Sequence, residues 1–212
     1  MGTEERRKRE KAQREALIKK SASKLFAKKG FEYTTLADIA KAAELSKGTI
    51  YLYFRSKEDL FFSIIEPALA QTNNRLMVVT SDIMEMADVT LKKITETLYE
   101  DYIARPEVSH LVWRYKAKEH KELMTEEKLA RLRHLMKWNL KKTEEIIARG
   151  IDQKLFSPSD PKLISIIYWN TVMGVLQFQE NRLDDKHKDY RKSTLDMAVN
   201  IFINGLKNGK FE

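Results

Sequence analysis

Apolar residues recur at helical intervals along almost the whole chain. Near the N-terminus Ala12, Ala16, Ile18, Ala22, Leu25 and Phe26 are spaced for one buried stripe, which predicts a helix from about Glu4 to Lys29. Gly30 follows as its C-cap. Leu36, Ile39, Ala40 and Ala43 form a second buried face behind Thr35, an N-cap with Asp38 three residues on, so that threonine and carboxylate can satisfy orphan amides reciprocally. Beyond the turn Glu44-Leu45, Ser46 caps a short third helix from Lys47 to Phe54, on which Ile50 and Phe54 sit four apart and point inward. Ser56 caps a fourth, with Asp59 at its N3 position and an apolar seam of Leu60, Phe61, Ile64, Ile65, Ala68 and Leu69. Pro67 lies inside that seam. It removes one hydrogen bond and clashes with the carbonyl four residues back, so either a kink or break near Ser63 to Pro67 or a proline tolerated between packed helices is expected.

Further helices are predicted at about Asp88 to Ala104, Pro106 to Glu119, Glu126 to Gln153, Pro161 to Arg182 and Lys188 to Asn208. Pro106 and Pro161 suit first-turn positions, and Thr125 and Asp160 suit caps. The helix from Pro161 is apolar on more than one face, through Leu163, Ile164, Ile166, Ile167, Tyr168, Trp169, Val172, Met173, Val175, Leu176 and Phe178, so it should be covered on two sides. The last helix has a similarly broad face. Two such helices per subunit can pack against their symmetry mates as a four-helix bundle, an isologous contact through Ile167, Thr171, Gly174, Phe178, Ala198 and Phe202. Small residues at Thr171, Gly174 and Gly205 allow close helix approach, in a dimer or in a monomer core alike. The predicted fold class is all-α with about nine helices.

Composition agrees, because 7 Gly and 4 Pro in 212 residues leave little strand or turn punctuation. The absence of cysteine excludes disulfides, thiol redox sensing and thiolate metal sites. Charge divides the chain unevenly. Up to Lys57 there are 15 Lys and Arg against 7 Asp and Glu, and the remainder is balanced at 24 against 24, so the whole excess of +8 lies in the first quarter. Clustered cations of this kind point to a polyanion, since they neutralise phosphates and release condensed counterions.

The outward face of the third helix carries Lys47, Gly48, Thr49, Tyr51, Leu52 and Tyr53, small or hydrogen-bonding at its start and aromatic at its end. Such a helix can lie in a major groove with its N-terminal residues at base edges, while tyrosine hydroxyls and Lys57 reach flanking phosphates. The upstream run RRKREKAQR is either a solvated helix start or an arm along phosphates. Glu4, Glu5, Glu10 and Glu15 interrupt it and favour solvation.

From Gly30 to Phe61 the sequence reads G-F-x-x-T-T-x-x-x-I-A-x-x-A-x-x-S-K-G-T-I-Y-x-Y-F-x-S-K-E-x-L-F. Over residues 12 to 65 this resembles the DNA-binding domain of the tetracycline-repressor (TetR) family of bacterial transcriptional regulators. The resemblance implies a helix-turn-helix DNA-binding domain over residues 1–57 and a ligand-binding and dimerisation domain over 58–212. It further implies a homodimer on a palindromic operator in double-stranded DNA, released by a small-molecule effector. Carried over by position, Thr34 and Thr35 contact DNA near the second helix start, Lys47, Gly48, Thr49 and Leu52 face the groove, and Tyr51, Tyr53 and Lys57 meet phosphates. One position departs from the family pattern. The turn residue that is usually glycine is Glu44, so either the backbone keeps positive φ there at a cost of about 1 kcal/mol or the turn is rebuilt.

The C-terminal part carries no motif. Tyr102, Trp113, Trp138 and Phe178 could line an apolar effector cavity, although aromatics at helical spacing also serve as ordinary core. His110, His120, His134 and His187 lack metal-ligand spacing, and no cofactor is expected. Without a phosphate loop, nucleophile elbow or HExxH motif, an enzyme is not expected. No long uncharged apolar run or signal-peptide core is found, so a cytoplasmic protein with no membrane partner is expected. Two other readings stay open: a DNA-binding regulator controlled by a protein partner without a small-molecule pocket, and a helical enzyme or carrier localised by its basic module.

Overall fold

A computed structural model describes residues 2–114, 125–180 and 190–209, with backbone only for 113, 114 and 178–180. Among the described residues the fold is all-helical, with α1 (Thr3–Lys29), α2 (Leu36–Ala42), α3 (Lys47–Tyr51), α4 (Lys57–Val79), α5 (Ala87–Ala104), α6 (Pro106–Arg114), α7 (Glu126–Asp152), α8 (Pro161–Glu180) and α9 (Arg191–Asn208). The chain forms two compact units, one of Met1–Leu69 with Arg105–Leu132 and one of Ala70–Ala104 with Arg133–Glu212. The division falls inside α4 and α7.

In the first unit α1 packs on α2 and α6, and α2 packs on α3. Its core gathers the predicted stripes: Ile18, Ala22 and Phe26 from α1, Leu36, Ile39 and Ala40 from α2, Ile50 from α3, and Leu60, Phe61, Ile64 and Ile65 from α4. Phe26, Phe31 and Phe61 meet with ring centroids 4.9 to 5.7 Å apart in tilted and edge-on arrangements. The long α4 runs unbroken through Pro67. No break occurs: the helix tolerates one missing hydrogen bond while Ile64, Ile65, Ala68 and Leu69 on either side of the proline are buried.

The second unit is built on Leu91, Ile94 and Leu98 of α5, Ile146 and Ile147 of α7, Ile164, Tyr168, Val172 and Leu176 of α8, and Leu195, Val199, Ile203 and Leu206 of α9. At its centre the Tyr168 hydroxyl donates to Leu91 O at 2.9 Å and shares a 2.7 Å hydrogen bond with Thr95. Burial pushes the Tyr168 phenol far up, so it stays neutral. The C-terminal end of α7 is closed tightly: Lys154 N–H bonds Ile151 O at 2.9 Å and Leu155 N–H bonds Gly150 O at 2.9 Å, with Lys154 at φ 56°. This is a Schellman cap with a non-glycine residue in the left-handed position. It folds Phe156 back onto Gly150, where a Cβ would lie 2.2 Å from the ring.

Candidate nucleic-acid interface

Three caps position the short α3. At the start of α2 the capping box is closed: Thr35 Oγ1 accepts from Asp38 N–H and Asp38 Oδ2 accepts from Thr35 N–H, both at 3.1 Å. Chiefly the Thr35 backbone N–H, then its hydroxyl, holds the Asp38 carboxyl below the usual carboxylate range, so the box stays charged. At the end of α2, Leu45 N–H bonds Ala40 O at 2.9 Å and Glu44 N–H bonds Lys41 O at 3.2 Å. This is a second Schellman cap, and Glu44 occupies its left-handed position at φ 55°. The turn keeps the glycine-type backbone instead of being rebuilt. At the start of α3, Ser46 Oγ accepts from Thr49 N–H at 3.0 Å and lies 2.8 Å from Thr49 Oγ1. The helix ends at Tyr51, three residues earlier than the spacing predicts, because Tyr53 N–H turns to Ile50 O at 3.0 Å and tightens the last turn.

Those caps leave one side of α3 outward. Ile50 is fully buried, whereas Lys47, Gly48, Tyr51 and Leu52 are exposed, Leu52 at 80%. Thr49 and Tyr53 are half-buried at the edge of this face, and the Lys47 ammonium sits 5.9 Å from the Tyr51 ring. Thr35 is exposed at the start of α2. Two expected contact residues are placed differently. Thr34 is 0% exposed, and its hydroxyl donates to Gly30 O at 2.7 Å, closing the α1–α2 turn. Lys57 Nζ donates to Phe31 O at 2.9 Å and Glu32 O at 3.3 Å and lies 4.3 Å from the Phe31 ring centroid. The exposed set is therefore Thr35, Lys47, Gly48, Tyr51 and Leu52, with Thr49 and Tyr53 beside it. Tyr33, 83% exposed next to Thr34, was not singled out by spacing, since it falls in the turn where periodicity carries no signal.

This segment coincides with a family pattern: residues 18–64 match bacterial regulatory proteins of the tetR family. Over nearly its full length the chain is 30% identical to the uncharacterised HTH-type transcriptional regulator YfiR of Bacillus subtilis, across 84% of this chain and 87% of that one. The chain belongs to the TetR family. Solved TetR structures share the fold. The ketosteroid transcriptional regulator KstR2 of Mycobacterium tuberculosis superposes with TM-score 0.79 at 17% identity, covering 92% of this chain and 95% of that one. AibR in complex with isovaleryl coenzyme A and operator DNA gives 0.71 at 20% identity, covering 89% and 97%. TetR proteins regulate transcription by binding DNA and are not enzymes.

The residues expected at an effector site or dimer contact in this TetR protein are scattered in their surroundings. Tyr102 is buried beneath the Arg191 guanidinium, which lies 5.2 Å from its ring centroid and donates to its hydroxyl. Trp138 is half-buried on α7. Trp113 and Phe178 are helical in backbone, and their side chains lie outside the described ones. On α8 and α9, Ile167 and Gly174 are exposed, Thr171, Ala198 and Phe202 are half-buried, and Phe202 contacts Tyr168 with ring centroids 5.7 Å apart. Among the described residues no group of three or more His, Asp or Glu is arranged to hold a metal, and no helix is long and apolar enough to cross a membrane.

Proposed function

We propose that this TetR protein is a cytoplasmic repressor that binds a palindromic operator as a homodimer and is released by an apolar or amphipathic small molecule. Residues 1–57 bind the DNA, and residues 58–212 dimerise and receive the effector. The observation that carries the DNA reading is the outer face of α3. It is exposed, begins with Lys47, Gly48 and Thr49, and is held by a capped turn within the quarter of the chain that bears the charge excess. In this reading Lys47, Gly48, Thr49 and Leu52 meet base edges, and Thr35, Tyr51 and Tyr53 meet phosphates. Lys57 holds the α1–α2 turn and offers its remaining proton to a phosphate.

For the dimer, support comes from the second apolar face of α8 and α9. Leu163, Ile166, Ile167, Met197 and Ile201 stay exposed within one protomer, and a Cβ added at Gly174 or Gly205 meets nothing within 4 Å. The protomer core does not require those glycines, which leaves close approach by a second copy as their use. For the effector, support is by analogy with relatives of the same fold, one a ketosteroid regulator and one bound to an acyl coenzyme A. Effector binding would select a conformation whose recognition helices no longer match successive major grooves, roughly 34 Å or a multiple apart.

The deciding experiment is selection of genomic fragments by the purified protein. A palindromic sequence should be enriched. Lys47→Ala or Thr49→Ala should change preference among operators, whereas Tyr53→Ala should weaken all of them alike. Recovery of unrelated fragments with affinity indifferent to salt would refute the reading.

A further inference from the structure

The stripe that buries Ile18, Ala22 and Phe26 continues toward the start of α1 as Arg14, Lys11 and Arg7, at the same three- and four-residue intervals. These three cations, with Glu10, Leu52 and Tyr53, line an open groove of about 350 Å³ at the end of α3. The groove thus joins the exposed first turns of α1 to the tip of the recognition helix. Three of the four acids that interrupt the basic run are paired elsewhere along the helix. Glu4 meets Lys8 at 3.0 Å, Glu10 meets Arg6 at 2.8 Å and Glu15 meets Lys19 at 2.6 Å. Among the described residues, Arg7, Lys11 and Arg14 have no acidic partner within ion-pair distance. Like charges three and four residues apart cost a helix about 0.2–0.5 kcal/mol per pair, and Glu10, the one acid lining the groove, is itself paired with Arg6. All three side chains are exposed, so they bear no desolvation cost. The groove thus sets three cations against one carboxylate, an excess that a phosphate would balance.

We propose that this groove is a second phosphate-binding element, which seats the DNA backbone flanking the base pairs read by α3. Arg7, Lys11 and Arg14 meet phosphate oxygens, and the Tyr53 hydroxyl supplies a further donor from the α3 side. The inference rests on the DNA-binding reading above and extends it to residues outside the segment, 18–64, that matches the family. The occupant is a phosphodiester chain: three cations in a row on one helix face match a linear polyanion, and they lie on α1, beside the recognition helix rather than on it. The element therefore adds affinity and salt dependence and leaves sequence preference to α3.

The test uses the full chain and a mixed-sequence duplex of about 40 base pairs, with affinity followed by fluorescence anisotropy from about 50 to 300 mM KCl. Every phosphate that a variant no longer neutralises should flatten the log-affinity against log-salt slope by about 0.9, so Arg7→Gln, Lys11→Gln and Arg14→Gln combined should flatten it by between about one and three per protomer. Arg7→Lys with Arg14→Lys should keep the wild-type slope. If circular dichroism shows that the triple variant has lost helix, Arg14→Gln alone decides, with an expected flattening of about 0.9. A steep wild-type slope left unchanged in the glutamine variants overturns the groove while sparing the DNA reading. A wild-type slope near zero overturns both.

Discussion

Glu44 is the clearest single-residue conflict between local preference and fold. It holds φ 55° in a cap whose hydrogen bonds run from Leu45 to Ala40 and from Glu44 to Lys41, a conformation that glycine adopts without steric cost. Glu44→Gly relieves about 1 kcal/mol of strain against about 0.4–1 kcal/mol for the added freedom of the unfolded chain, so it should stabilise the protein by at most about 0.6 kcal/mol. Urea unfolding at unchanged m-value would register the gain. A second prediction concerns Asp59. Burial raises its carboxyl, but hydrogen bonds from the Lys128 ammonium at 2.5 Å and the Arg55 N–H at 3.3 Å outweigh it, so the group is held below the usual range. A depressed carboxyl stabilises above its unfolded value, about 3.9, and that stability is lost as pH falls through the folded value. Asp59→Asn should thus cost about 0.5–1 kcal/mol at pH 7. The gap to wild type should close below about pH 4, measured as unfolding midpoints across pH.

The helices owe their ends to caps and their middles to burial. Thr35, Ser46 and Asp160 each bond backbone amides of the turn they open, Asp160 reaching Lys162 N–H at 2.9 Å. Pro67 does not end α4, because buried side chains on both sides hold the helix across the missing bond. The end of α7 depends on one absent side chain. Any Cβ at Gly150 would lie 2.2 Å from the Phe156 ring and 2.9 Å from Ala87 Cβ, so Gly150→Ala must displace the chain that returns across it. It should destabilise by about 2 kcal/mol or more. Gly174→Ala, in open space inside α8, is the matched control and should raise protomer stability by about 0.5–1 kcal/mol, read by thermal unfolding of a monomeric background.

For the whole molecule, the charge excess and the exposed apolar faces of α8 and α9 are separated along the sequence. The +8 excess lies before Glu58, while exposed Ile167 and Ile201 lie on α8 and α9. If α8 and α9 form an isologous contact, Ile167→Arg with Ile201→Arg should give a monomer by light scattering and lower operator affinity at least about tenfold, since two half-sites are then bound independently. A dimer surviving both arginines would place the contact elsewhere. An effector that binds the native state should raise the unfolding midpoint with concentration, by the mass-action relation of ligand to stability. Acyl coenzyme A thioesters and sterols are the first probes, after the relatives of the same fold.

Much of this architecture was legible from residue order, because a helix, its stripe and its caps are encoded within a few residues of one another. The all-α class and the starts of α2, α3 and α4 are local facts, whereas the choice between positive φ and a rebuilt turn at Glu44 was settled only by the structure. The outward side of α3 followed from the inward spacing of Ile50 and Phe54. Pairings between distant residues were not legible, since periodicity states which face is apolar and never what covers it. Packing alone turned Thr34 inward, bent Lys57 onto the carbonyls of Phe31 and Glu32, and committed Tyr102 to Arg191. It also set Arg7, Lys11 and Arg14 beside Leu52 and Tyr53. Their wide separation in sequence is closed by the fold, and a charge run becomes a groove only when another helix supplies its far wall.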